Sequence, residues 1–501
     1  MSTNTLPVAV IGAGPVGLAA AAHLLSRGEP PVVLEAGATA GASIREWGHV
    51  RLFSPWRYVV DPASLALLEA AGWSAPPADD LPTGDDLLDR YLLPLAQLPP
   101  VAPHIQYNTR VVSVARQGFD KLKTSEREHA PFVIYVQRGN GAFDQILARA
   151  VIDASGTWTS PTPLGANGLL AIGETCVAEH IANGIPDVLG DARERYAGKR
   201  LLVVGSGHSA FNALLDLAAL AAEVPGTRIT WAIRGGVAGD LYGGGQDDQL
   251  PARGALGSRL RALVDAGAIE LAAGFRIAAL HATSVGIEVE GEDRAIGPFD
   301  EIIAATGFRP NLSLTRELRL DLDAVVESPT ALATLIDPNV HSCGTVPPHG
   351  FYELSHPEPD FYTVGMKSYG RAPTFLLLTG YEQVRSVTAA LTGDHEAASR
   401  VELTLPETGV CSGPTGESAA EPVSACCGST PAIIDVIDIT ATAASSAQAE
   451  ASACCGGPAP ASSDACCVLD AEAKAAGQSG CGCGSKESDT SFVPVTAGPR
   501  A

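Results

Sequence analysis

The sequence predicts an α/β fold in which two strand–turn–helix–strand units each seed a parallel sheet, followed by a tail that builds no core. Three observations carry that prediction. VAVIGAGPVGLAAAAHL followed by PPVVLEAG sets an apolar strand, a glycine turn, an Ala/Leu helix and a second strand in order. RLLVVGSGHSAFNALLDLAALAAE followed by RITWAIRGG repeats the plan about 190 residues later. From about Val401 onward Ala, Ser, Gly, Pro and Thr dominate and aromatics almost vanish. Such a segment buries too little apolar surface to offset a chain entropy of about 1–2 kcal/mol per residue. The two glycine units read as Rossmann-like dinucleotide-binding domains and the tail as disordered.

In the first unit Gly12, Gly14 and Gly17 fit G-x-G-x-x-G between a strand and a helix. The first glycine permits the tight turn, and the second lets a pyrophosphate approach the backbone. The third lets helix and strand pack closely, with the phosphates at the helix N-terminus. Glu35 ends the next strand about 20 residues on, where a carboxylate can bond ribose hydroxyls. In the second unit Gly205, Gly207 and Ala210 fill the same three slots, and Ser209 stands where it can cap the helix or touch phosphate. The strand after it ends in Arg234 rather than an acid. A cation there favours a 2′-phosphate, hence NADPH over NADH.

An N-terminal motif, a second near the middle and AATGFRP at Ala304–Pro310 together predict FAD in the first unit and NADPH in the second. Between the units, VVSVARQ, PFVIYVQ and ILARAVIDASGTW are short β-rich runs, as expected of a sheet appended to the first. FYTVGMKSYGRAPTFLLLTGYEQVRSVTAAL reads as a strand, a glycine loop and a long helix. A helix N-terminus within GMKSYGRAPTF should aim backbone N–H groups at the pyrimidine end of the flavin, which makes Gly365 and Arg371 candidate cofactor contacts beside Gly307 of the ATG segment. The expected layout is 1–165 for the first part of the FAD domain, 166–300 for the NADPH domain, 301–400 for the rest of the FAD domain and 401–501 for the tail.

Composition narrows the partners. A chain of 501 residues with 46% hydrophobic residues has material for two or three domains. Its formal charge of −23 argues against nucleic acid and against anionic lipid surfaces. No apolar run reaches spanning length without Gly, Pro or charge, and MSTNTLPVAVIG lacks a basic stretch ahead of a cleavable apolar one. The expectation is a cytoplasmic protein acting on a small molecule, with no membrane partner and with its 11 cysteines mostly reduced.

At this point the chain resembles two-dinucleotide-domain flavoproteins of the flavin-containing monooxygenase type. GAGPVG with Glu35, DASGTW at Asp153–Trp158, GKRLLVVGSGHSA and AATGFRP carry the resemblance, which spans roughly the first 400 residues. REWGHVRLFSPWRYVVD and GMKSYGRAPTFLLLTGYEQV are similar to a subgroup found with bacterial arsenic-resistance genes. The resemblance implies an FAD-dependent NADPH oxidoreductase that oxidises a soft nucleophile, such as sulfur or trivalent arsenic, through reduced flavin and O2. Two family features are missing. The F-x-G-x-x-x-H fingerprint is not met, since Gly173 and His180 lie at the wrong spacing. The asparagine that supports oxygen chemistry in typical members has no match, since Ser54 and Trp56 occupy that neighbourhood.

Oxygen insertion therefore competes with electron transfer to a disulfide, quinone or metal ion, and with a non-catalytic flavin- and NADPH-binding sensor. Disulfide reductases of this build need a cysteine pair beside the flavin, whereas here the core holds Cys176 and Cys343, far apart. Arg45 and Trp56, with Arg51 and Arg57, follow the Glu35 strand and are candidates to flank the flavin; the competing reading is surface charge and core. The tail holds the pairs Cys426–Cys427, Cys454–Cys455 and Cys466–Cys467, then Cys481 and Cys483. Adjacent cysteines seldom close on each other, and this is not zinc-ribbon spacing. As thiolates they are soft ligands, so a thiophilic metal or metalloid is the candidate partner of the tail; the competing reading is a low-complexity tail whose cysteines have no function.

Overall fold

A computed structural model describes residues 6–237, 241–243, 251–340, 346–373 and 375–403. The cysteine-rich tail expected to be disordered lies outside them. Strands of the first half are β1 (Val8–Ile11), β2 (Pro31–Leu34), β3 (Ile105–Gln106), β4 (Thr109–Arg116), β5 (Phe132–Arg138), β6 (Phe143–Ala148) and β7 (Ala150–Asp153). Next come β8 (Ile181–Asn183), β9 (Arg200–Val204), β10 (Arg228–Ala232) and β11 (Glu270–Ala272). Then follow β12 (Ile277–Thr283), β13 (Gly286–Gly291), β14 (Ala295–Phe299), β15 (Glu301–Ala304) and β16 (Phe361–Thr363).

Two five-stranded parallel sheets organise these strands, in the orders β16-β7-β1-β2-β3 and β11-β10-β9-β15-β8. Both central strands carry continuous apolar runs, VAVI and the LLVV that follows Arg200, because a parallel sheet is covered on both faces. The helix Pro15–Ser26 packs against the first sheet and against the helix Leu377–Leu391, and its Ala19, Ala20, Ala21 and Ala22 are all fully buried. Proline at its first position carries no N–H that the helix would need and has its φ preset. The helix His208–Glu223 plays the same part on the second sheet, with Phe211, Leu214 and Leu217 buried.

β15 corrects the expected domain layout. The sequence reading returned the chain to the first domain at residue 301, but β15 pairs with β9 and β8 in the second sheet. EIIA is a buried run that completes the parallel order beside β9, so the second sheet closes only at Ala304. The first sheet regains the chain at β16, beside β7.

Each sheet has a three-stranded antiparallel appendage, β4-β5-β6 and β12-β13-β14. A buried charge cluster fixes the first of these. Glu358 accepts from Arg116 at 2.7 Å, from Arg127 at 2.7 Å and from the Arg319 backbone N–H at 3.0 Å. The two passages between the sheets run side by side, Thr162 N–H donating to Gly307 O at 2.9 Å and Arg309 N–H to Ser160 O at 2.9 Å. Trp158 stacks on Phe308 across them, with ring centroids 4.6 Å apart.

Candidate functional site: two glycine cradles

The turns after β1 and β9 are built to one plan. Gly12 N–H donates to Leu34 O at the end of β2, and Gly205 N–H to Ala232 O at the end of β10. On the other side Ala154 N–H donates to Ile11 O, and Ala305 N–H to Val204 O. A β-carbon at Gly12 would lie 2.9 Å from Ala154 O and at Gly205 2.2 Å from Ala305 O, with φ of +97° and +130°. Only glycine fits both positions. The third slot is equally tight: at Gly17 a β-carbon would meet Gly12 O at 2.0 Å, whereas Ala210 fits with no exposure.

The middle glycines differ. Gly14 and Gly207, the N-caps of Pro15–Ser26 and His208–Glu223, have no atom within 4 Å of a β-carbon position. Each opens onto space at a helix N-terminus, where backbone N–H groups and the helix dipole favour a phosphate. The residues present therefore fit a dinucleotide at both turns.

A family described as pyridine nucleotide-disulphide oxidoreductase matches residues 9–329, from β1 through both cradles. The chain belongs to that family. No curated protein matches in sequence. Among solved structures, bacillithiol disulfide reductase Bdr (YpdA) from Bacillus cereus is 18% identical with a TM-score of 0.57, the match covering 77% of this chain and 99% of that one. DfoA, an FAD-bound cadaverine monooxygenase from Erwinia amylovora, is 13% identical with a TM-score of 0.54, covering 80% and 98%. Ornithine hydroxylase (PvdA) from Pseudomonas aeruginosa, also 13% identical, has a TM-score of 0.50 over 78% and 99%. These likenesses establish the FAD/NAD(P)-binding fold of this pyridine nucleotide-disulphide oxidoreductase family member.

Around the first cradle, Glu35 accepts the N–H of Ala13 at 2.6 Å and of Gly37 at 2.7 Å, tying the turn to the end of β2. A carboxylate has about four acceptor positions, so others remain for ribose hydroxyls. Gly365 begins a turn, Gly365–Tyr369, that packs on the first turn of the Pro15–Ser26 helix; its β-carbon position lies 3.3 Å from Val16. Gly307 follows β15, so it stands at the end of the second sheet.

The candidates from the Glu35–Asp61 segment have partners of their own within the protein. Arg45 is exposed and ion-paired with Asp85 and Asp89, whose bonds raise its pKa against a smaller lowering by burial. Trp56 is 2% exposed within the first core, with the Arg90 guanidinium over its ring. Arg57 pairs with Asp79, and Arg51 donates to Leu81 O. Arg371 is exposed and pairs with Glu327 at 2.8 Å. The same segment nevertheless reaches the second cradle, since Phe53 lies 5.5 Å, centroid to centroid, from His208, the first residue of its helix. Glu46 accepts the Trp158 indole N–H at 2.7 Å, joining it to the passage between sheets.

At the second cradle Gly207 is the N-cap and makes no side-chain cap, so Ser209 sits one place inside the helix rather than capping it. Arg234 is exposed just past β10 with no ion-pair partner among the described residues. Trp231 is fully buried and donates its indole N–H to Gly205 O at 2.7 Å, which holds the turn open. The paired tail cysteines lie outside the described residues. Among the described residues no group of three or more His, Cys, Asp and Glu is arranged to hold a metal ion.

Sequence reasoning missed the buried partners. Lys367 and Asp153 form an ion pair at 2.6 Å, their side chains 1% and 0% exposed. His349 is buried, its pKa pushed down by that burial, and Gln383 Nε2 donates to its Nε2 at 2.9 Å. DASG and MKS were visible in the sequence, but no spacing rule joins residues more than 200 positions apart.

Proposed function

We propose that this protein is an FAD-dependent NADPH oxidoreductase that uses O2 to oxidise a soft nucleophile. FAD belongs in the first cradle and NADPH in the second. The observation that carries the reading is the pair of like-built cradles, each open at its middle glycine. Bound FAD supplies the redox chemistry, accepting two electrons from a reduced nicotinamide and passing them on. The chain's own residues bind and orient. Gly14 admits the pyrophosphate, Glu35 takes the ribose, and Gly207 with the helix behind it takes the second dinucleotide. Arg234, exposed and with no ion-pair partner among the described residues, is the candidate to attract a 2′-phosphate.

Oxygen as acceptor is favoured over a dithiol by the sequence, whose first 400 residues hold Cys176 and Cys343 and no C-x-x-C pair. Cys176 is exposed on the segment Glu174–His180. The monooxygenase and hydroxylase that share this fold supply a precedent for oxygen chemistry on it. Trivalent arsenic as the nucleophile, with the tail thiols as its capture site, rests on the sequence resemblance and the cysteine pairs alone.

The test is product stoichiometry in air. Purified FAD-loaded protein is supplied with NADPH and either arsenite, methylarsenite or a thioether. Oxidised product formed in step with NADPH consumption supports the proposal. NADPH consumption matched wholly by hydrogen peroxide, or rapid turnover with disulfides or quinones instead, contradicts it.

A further inference from the structure

Asp153 ends β7 level with Ile11 of β1 and Thr363 of β16. That is the carboxyl edge of the first sheet, where open α/β sheets bind ligands. Its Oδ1 accepts the N–H and hydroxyl of Ser155 at 3.1 and 2.6 Å, and its Oδ2 accepts from Lys367 Nζ at 2.6 Å. Lys367 Nζ also donates to Ser155 Oγ at 3.1 Å. Ser155 in turn abuts the glycine turn, its Cα lying 3.3 Å from the β-carbon position of Gly12. Lys367 itself belongs to the Gly365–Tyr369 turn that rests on Val16. The ammonium thus lies between the two segments that wall the first cradle.

One feature sets this pair apart from a structural tie. An ammonium has three donors, and only two have partners among the described residues although the side chain is 1% exposed.

We infer that Lys367 is a cofactor-binding residue of the first cradle, oriented by Asp153 and Ser155, whose third N–H donates to an oxygen of the FAD chain between its two ring systems. The inference rests on FAD occupying that cradle. Asp153 then acts as a positioning residue: it fixes the ammonium without meeting the cofactor.

Titration of full-length apoprotein with FAD, followed by flavin fluorescence quenching, tests it. Lys367→Met is compared with the double variant Asp153→Asn/Lys367→Met, in which no uncompensated charge remains. Both should bind FAD about tenfold or more weakly, the loss of one charge-assisted hydrogen bond. The melting temperature of the double variant should stay near that of the wild type. Wild-type affinity in the double variant overturns the inference, since Lys367 would then be only the counterion of Asp153. A wild-type protein with no affinity for FAD overturns both the inference and the reading beneath it. If the double variant does not fold, Lys367→Gln, which still donates to Asp153 but carries no ammonium, is titrated with the same two outcomes.

Discussion

Gly205 and Gly207 are two residues apart, yet the same change to alanine acts on different properties. At Gly205 the added carbon would strike Ala305 O in a left-handed backbone, so Gly205→Ala should cost about 1–3 kcal/mol of stability, seen as a lowered melting temperature. At Gly207 the carbon enters open space, so stability should hold within about 0.5 kcal/mol. NADPH affinity should fall about tenfold or more while FAD affinity stays, which parallel titrations measure. Arg234→Glu should cut the preference for NADPH over NADH by about tenfold or more, read from the two kcat/KM values. The glycine turns were legible because a short local pattern specifies them. The ion pairs of Arg45 and Arg371 were not, because their partners Asp85, Asp89 and Glu327 lie far along the chain.

The elements beside the site carry the response to acid. Burial works against ionising Glu358, but the Arg319 N–H and the Arg116 and Arg127 guanidiniums hold its pKa below the ordinary value. A depressed carboxyl stabilises the fold above its unfolded pKa, and that contribution is lost as pH falls through the folded one. Burial also pushes His356 down to about 4, against smaller raising effects from Asp321 and Glu358. Between that value and the ordinary histidine pKa the unfolded chain holds the extra proton, so stability falls as pH drops across this window. The steepest slope for one proton is about 1.4 kcal/mol per pH unit. His356→Gln should flatten the melting-temperature profile between pH 6.5 and 4. Glu358→Ala leaves two buried guanidiniums unpaired and should cost about 3–5 kcal/mol at neutral pH, measured by chemical denaturation. None of this showed in the sequence, where Arg116 and Glu358 are 242 positions apart and look like ordinary charges.

At the scale of the whole molecule, the plan was readable because each dinucleotide domain contains one strongly patterned segment. Strand, glycine turn and helix are contiguous, so composition and spacing suffice to place β1, β2, β9 and β10. The closing strand of each sheet is different. β15 and β16 are short apolar runs of similar character, and only pairing shows that one completes the second sheet and the other the first. That is why the expected boundary fell four residues too early, before Glu301–Ala304 rather than after it. The two sheets on one chain give the proposed chemistry its logic: one cradle keeps a flavin, the other exchanges a nicotinamide nucleotide, and Phe53 against His208 joins the flavin-side segment to the second cradle. The most direct measurement follows the flavin absorbance of FAD-reconstituted protein as NADPH is added without oxygen. Bleaching of the yellow colour at one NADPH per bound FAD is the predicted result. A protein that takes up no FAD, or one whose colour persists under excess NADPH, contradicts the account.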